Sequence, residues 1–203
     1  MSNILRRARH AKAPTSRGVH HLALNTEDMK ATVDFYTGLL GMPLIHALRV
    51  PAGLGTGAGN RGNPPFENLR HYFFDAGGDS MVAFFEMPKS ACPQGDRNAI
   101  GTMQHCSFTV TEGRSKELRA RLEAAGVAYL GPIAIGCDTQ SIYVRDPSDI
   151  RLEFSWQPLD CNDTHVVEGW TQTQEEAISE LRDLCASQEW LQSVTAHLPK
   201  TRA

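Results

Sequence analysis

Two stretches of the chain open with the same alternation and continue in the same way. Val19, His21 and Ala23 alternate in the first, and Cys106, Phe108 and Val110 in the second; a two-residue period is that of a half-buried strand. A helical stripe follows each. Met29, Val33, Tyr36 and Leu40 recur at i, i+4, i+7 and i+11, and Leu118, Leu122 and Ala125 at i, i+4 and i+7. Gly41 and Gly126 then stand where a left-handed helix cap is wanted. From His21 to Gly41 is 20 residues, and from His105 to Gly126 is 21, so the chain carries an internal repeat.

Each copy goes on with three more strand-like runs. In the first these are Pro43–Arg49, Leu69–Asp75 and Ser80–Met87; in the second, Ala128–Ile135, Gln140–Asp146 and Ile150–Trp156. Gly77-Gly78 and Asp146-Pro147-Ser148-Asp149 supply the hairpin turns before the last strands. Both copies read β-α-β-β-β, which predicts an α+β fold of paired modules: one domain over 19–157, with module one at 19–88 and module two at 104–157. Residues 1–18 read as a basic tail, with five Lys or Arg and no acid.

The stretch from Pro51 to Pro65 holds five Gly and three Pro in 15 residues. It reads as a long loop of module one and a lid over a pocket; no GK[ST] follows to make it a phosphate cradle. Past Pro158 the repeat ends. Thr173 with Glu176 is a capping-box pair. Ile178, Leu181, Leu184, Cys185, Leu191, Val194 and Leu198 then follow at helical spacing, predicting one amphipathic helix within a 158–203 extension. Its bland role is to pack on its own sheet or on a second subunit.

Composition narrows the function classes. Of 203 residues, 41% are apolar and 21% charged, the balance of a soluble globular protein. No apolar run approaches the roughly 20 residues of a membrane span. A net charge of −3 gives no footprint for nucleic acid. The five cysteines are odd in number and form no CxxC, which speaks for a reducing compartment and against a disulfide scaffold. The cytoplasm is the expected location.

The repeat also places ionisable residues at matching points. His21 and His105 lie on the first strands, and Glu86 and Glu153 on the last, within VAFFEMP and IRLEFSW. A carboxylate in so apolar a strand is costly to bury unless it is paired or binds a metal. A lone strand His or Glu is more often structural, but four repeat-related residues reverse that weighting. Imidazole and carboxylate together suit Ni, Zn, Co, Mn or Fe(II).

In HHLALNTEDMKATVDFYTGLLGM at 20–42, HCSFTV at 105–110 and YVRDPSDIRLEF at 143–154, the chain resembles the vicinal oxygen chelate superfamily. That superfamily includes glyoxalase I, methylmalonyl-CoA epimerase, extradiol dioxygenases, fosfomycin-resistance enzymes and bleomycin-binding proteins. The resemblance covers about residues 18–157 and implies paired βαβββ modules forming a cupped sheet around a metal. It implies His21, Glu86, His105 and Glu153 as ligands. His20 competes for the first position, and the family spacing to Asp28, seven residues on, favours His21. A homodimer is also implied, with the site inside one chain or shared between swapped chains.

Two enzyme classes compete within that resemblance. In lyases, isomerases and epimerases all four positions hold the ion, and a ligand glutamate moves the α-proton of a metal-chelated substrate. Glu86 or Glu153 would do so here. In extradiol dioxygenases two histidines and one glutamate hold Fe(II), and His21, His105 and Glu153 match, with Tyr143 standing ten residues before Glu153. Against that class, Ala134, Ile135 and Gly136 fill its histidine window, Asp79-Ser80 replaces a hairpin histidine, and His71 is the one substitute base. Asn25 and Ser90 replace the arginine and asparagine of a glutathione-binding glyoxalase. A metal-free, bleomycin-resistance-like binder is the third class, disfavoured by intact buried carboxylates. The expectation is a divalent-metal-dependent isomerase or lyase on a small oxygenated substrate, with Glu86, Glu153 and Tyr143 as catalytic residues.

Overall fold

The computed structural model describes residues 14–53, 65–135, 139–157 and 166–201. Most of the basic tail, most of the glycine-rich loop and Gly136 lie outside the described residues. The chain divides into two compact units, Gly18–Thr164 and Met1–Arg17 with His165–Ala203.

In the larger unit the repeat is realised strand for strand. Module one runs β1 (His21–Thr26), α1 (Met29–Val33) with a π-helical continuation over Asp34–Leu39, β2 (Leu44–Arg49), β3 (Arg70–Gly77) and β4 (Ser80–Glu86). Module two runs β5 (Cys106–Thr109), α2 (Glu112–Ala124), β6 (Tyr129–Ile135), β7 (Thr139–Arg145) and β8 (Arg151–Trp156). The sheets are mixed and four-stranded, in the order β1-β4-β3-β2 and β5-β8-β7-β6. First and last strands pair in parallel in each, and the remaining neighbours are antiparallel.

Local chemistry sets the helix ends. Asp28, extended at φ −139°, accepts the Ala31 N–H at 2.9 Å and starts α1. Thr111 does the same for α2 through the Arg114 N–H. Gly41 at φ +74° and Gly126 at φ +66° end the helical segments in the left-handed region that their missing Cβ makes inexpensive.

One core lies between the helices and one face of each sheet. It joins Met29, Tyr36 and Leu40 of module one with Phe74, Val82 and Phe84, and continues through Leu118, Leu122, Ile142, Leu152, Phe154 and Trp156. The modules are also linked by polar bonds. The buried Tyr36 hydroxyl donates to Asp146 Oδ2 at 3.1 Å, Ser148 Oγ to Thr26 Oγ1 at 2.9 Å, and Arg121 Nε to the Leu39 carbonyl at 2.8 Å. Burial raises the pKa of Asp146 despite its bonds from the Ile150 and Ser148 N–H groups and from Tyr36.

Two sequence expectations are corrected here. Ala125, expected in the α2 stripe, is exposed, because the helix ends at Ala124 and its buried face is Ser115, Leu118 and Leu122. On β1 the residues that reach the core are Leu22 and Leu24, so His21 and Ala23 belong to the opposite, open face. Cys106 and Phe108, the matching alternation in module two, do face the core. The two alternations are therefore one residue out of phase.

The smaller unit contains α3 (Val166–Trp170), α4 (Gln174–Leu181) and α5 (Gln188–Thr195). Thr173 and Glu176 form the expected capping box. The single long helix does not form. Ser187 accepts the Trp190 N–H and starts a new helix, which leaves Leu184 in an exposed connection. Gln174 Nε2 then ties α4 to α5 through Gln192 Oε1 and Thr195 Oγ1, both at 3.2 Å. Among the described residues no helix is long and apolar enough to cross a membrane.

Candidate functional site

Strand register decides which of the candidate residues share a face. On β8, Leu152, Phe154 and Trp156 enter the core, so Glu153 points to the open face with its neighbours Arg151 and Ser155. Glu153 pairs with Ser107, two residues along from His105. His105 Nε2 meets Glu153 Oε2 at 2.9 Å, and the Tyr143 hydroxyl donates to Glu153 Oε1 at 2.8 Å. Three predicted residues, His105, Glu153 and Tyr143, are thus brought together on module two.

Module one does not repeat this. His21 pairs with Met81, and the same two-residue step that leads from His105 to Glu153 leads from His21 to Ala83. Glu86 lies three residues further, opposite Thr26. Three is an odd step, so Glu86 shares the core-side face with Val82 and Phe84. There it accepts the Met29 N–H at the start of α1 at 3.0 Å and is paired with the Arg70 guanidinium. The structure thus does not bring Glu86, expected as metal ligand and proton shuttle, to the module-two group: it points away from the open face and holds a helix end and an arginine.

His21 is on the open face but apart from the module-two group. Its ring stands 5.9 Å from Phe73, and its Nδ1 lies 2.8 Å from Nδ1 of His20. Among the described residues no three His, Cys, Asp or Glu side chains converge where one ion could be held. Within one chain the four predicted ligands do not fit a divalent ion.

The His105–Glu153 pair by itself does suit a cation. Nδ1 of His105 is bonded to the Gln104 side-chain oxygen, which makes Nδ1 the proton donor and turns Nε2 toward a carboxylate oxygen. A cation between them would satisfy both facing atoms.

The electrostatics centre on Glu153, which is 6% exposed. Burial pushes its carboxyl up, yet the Ser141 and Tyr143 hydroxyls, the His105 ring and the Ser155 hydroxyl outweigh it. The net pKa lies below the ordinary value, so Glu153 is an anion at neutral pH. Burial and the bond to Glu153 push the Tyr143 phenol up, and it stays a donor. The Arg151 guanidinium covers the Tyr143 ring at 4.3 Å.

Behind the carboxylate, Ser107, Ser155 and Ser141 form a hydroxyl ladder with Oγ separations of 3.0 and 2.9 Å. Gln104, Arg151 and the three serines were not among the candidates from sequence. Arg151 and Ser155 could have been found, because they lie two residues either side of Glu153 and share its face.

With this geometry in place, comparison with known proteins settles the family. Residues 18–154 match the model of the Glyoxalase/Bleomycin resistance protein/Dioxygenase superfamily. The chain belongs to that superfamily. Solved structures agree on the superfamily's fold. A glyoxalase/dioxygenase from Nostoc punctiforme is 24% identical, with a TM-score of 0.51 over 70% of this chain and 92% of that one. A glyoxylase/bleomycin resistance protein/dioxygenase domain from Frankia sp. EAN1pec is 20% identical, with a TM-score of 0.54 over 70% and 99%. No curated protein matches the chain significantly.

Proposed function

We propose that the chain is a superfamily enzyme that moves a proton on a small oxygenated substrate, as an isomerase or lyase, at the open face of module two. The observation that carries this reading is Glu153, a buried carboxylate held ionised between Tyr143 and His105. A fixed anion of this kind accepts a proton from a carbon acid or hydroxyl bound against it. Tyr143 and Ser141 hold the carboxylate in one orientation while it does so. His105 is 37% exposed at its side chain and supplies the group that contacts substrate from the solvent side.

A divalent ion, Ni, Zn, Co or Mn, belongs to this proposal with His105 and Glu153 as two of its donors. Because His21 does not reach them within one chain, we propose a homodimer in which His21 of a second copy completes the set. Such an ion would polarise a chelated carbonyl or hydroxyl.

One observation favours a second reading. With Glu86 on the other face, the remaining donors are two histidines and one carboxylate, the set that suits non-haem Fe(II). On that reading the chain is an Fe(II) ring-cleaving dioxygenase, with Tyr143 beside the carboxylate.

Exchange of substrate C–H for deuterium in heavy water separates these readings. Small α-hydroxy and α-keto acids and aldehydes are followed by proton NMR, and oxygen uptake is measured in parallel with catechols. We expect exchange by the wild type and none by Glu153→Gln at unchanged circular dichroism. Exchange surviving in Glu153→Gln would overturn its role. Oxygen uptake dependent on Fe(II) would establish the dioxygenase. Neither activity, with no metal bound, would leave a small-molecule binding protein.

A further inference from the structure

At one end of module one, the core-side face of the sheet carries a row of charge that the Glu153 site does not use. Arg70 has the parity of Tyr72 and Phe74, which pack on the core, so its side chain leaves β3 on that face. Arg49 stands directly opposite Arg70 across β2 and β3, and Glu86 pairs with Arg70 from the β4 side. With Lys89, on the segment after β4, the two arginines line a cleft of about 350 Å³. His21 and the open face lie on the other side of this sheet.

Like charges placed opposite on neighbouring strands repel, and one of these two is offset. Glu86 takes Arg70, whereas Arg49 donates from Nη1 to the Asn68 carbonyl oxygen at 2.9 Å. Among the described residues no carboxylate is paired with Arg49 or with Lys89. The bond to Asn68 holds the Arg49 guanidinium in place and leaves the rest of its fork of N–H donors for a ligand. Glu27, the other acid of the cleft, accepts the Ser90 N–H at 3.0 Å, which fixes the turn that carries Lys89. Leu69 and Met87 add an apolar wall.

We propose that this cleft binds a small phosphate monoester, at a site separate from Glu153 and independent of the reaction there. The Arg49 fork takes two phosphate oxygens, Lys89 adds a point charge, and a few carbons of the ligand lie along Leu69 and Met87. Charge selects phosphate over carboxylate. A phosphate monoester is close to a dianion at neutral pH and matches the two cations that lack a carboxylate, whereas a carboxylate ligand leaves one of them unmatched. Ligand sites span about 300–1,000 Å³, and a cleft at the small end of that range suits a compact body.

Three probes of the full chain test it: monopropyl phosphate, butyrate and 1-propanol, in about 0.1 M chloride, where diffuse attraction is screened. Affinity is measured by calorimetry, and the place of binding by NMR shifts of the Leu69 and Met87 methyl groups. We expect monopropyl phosphate to bind about tenfold more tightly than butyrate and to shift both residues, and propanol not to bind. Arg49→Gln and Lys89→Gln change exposed side chains, which spares the fold, and each should weaken binding about three- to tenfold. Arg49→Lys keeps the charge without the fork and should fall between Arg49→Gln and the wild type. Lys116→Gln, at an exposed position of α2 outside the cleft, should leave binding unchanged. Equal affinity for butyrate, no binding, shifts confined to other residues, full affinity in Arg49→Gln, or an equal loss in Lys116→Gln would each overturn the proposal. Binding is read without turnover, so it can fail while the proton-transfer role of Glu153 stands.

Discussion

Glu86→Ala is the perturbation that most sharply separates a helix-holding carboxylate from a ligand. In this structure the side chain is 21% exposed, accepts the Met29 N–H at 3.0 Å and pairs with Arg70, itself 41% exposed. Loss of a charged acceptor at a helix N-terminus costs about 1–2 kcal/mol. The Arg70 pair adds little beyond this, because solvent screens it. That loss corresponds to a fall in Tm of roughly 2–8 °C for a unit of this size.

Urea denaturation of the metal-free protein should show a lower midpoint at unchanged slope, and calorimetry a matching shift. Arg70→Ala should destabilise less than Glu86→Ala, since the Met29 bond survives. A carboxylate kept for a ligand is held at a cost, and removing it from metal-free protein leaves stability equal or higher. A Glu86→Ala variant as stable as the wild type would therefore refute the reasoning.

Other predictions follow from the same structure. The Glu153 pKa is lowered on folding, so the stability it contributes is present above its unfolded value, about 4.3, and is lost as pH falls through the lower folded value; unfolding free energies of wild type and Glu153→Gln should converge over that acid range, and a constant difference down to pH 2 would contradict it. Tyr36→Phe removes a side-chain donor to the buried Asp146 and should cost about 1–2 kcal/mol, with the Asp146 carboxyl titrating higher still by carbon-13 NMR. Burial pushes the Cys106 thiol up to about 11, so iodoacetamide at pH 8 should label the half-buried Cys92 and Cys185 well before it. Rapid labelling of Cys106 in folded protein would show that its pocket opens.

Much of the fold was legible because the repeat stated it twice. The glycines at 41 and 126 and the Thr173–Glu176 capping box are local signals, and they agreed with the structure. The site was half legible. His105, Glu153 and Tyr143 come together because β5, β7 and β8 are neighbours in a simple register. Glu86 does not join them, and matching by order along the chain ignores the phase that keeps it apart. The signal was present: in VAFFE the glutamate keeps the parity of Val82 and Phe84, whereas in RLEFSW it breaks the parity of Leu152, Phe154 and Trp156. The C-terminal helix was overextended for a different reason. Its apolar spacing runs on through 184 and 185, but the Ser187 cap competes locally and wins.

The most direct test of the central claim is the metal content of the dimer. The protein is purified anaerobically, loaded with Mn, Ni or Fe(II), and separated by size with light scattering and plasma mass spectrometry on the same peak. The account predicts stoichiometric metal in a dimeric wild type, loss of it in His21→Ala, His105→Ala and Glu153→Gln, and full retention in Glu86→Gln. Metal retained by Glu153→Gln, or lost from a folded Glu86→Gln, would contradict it.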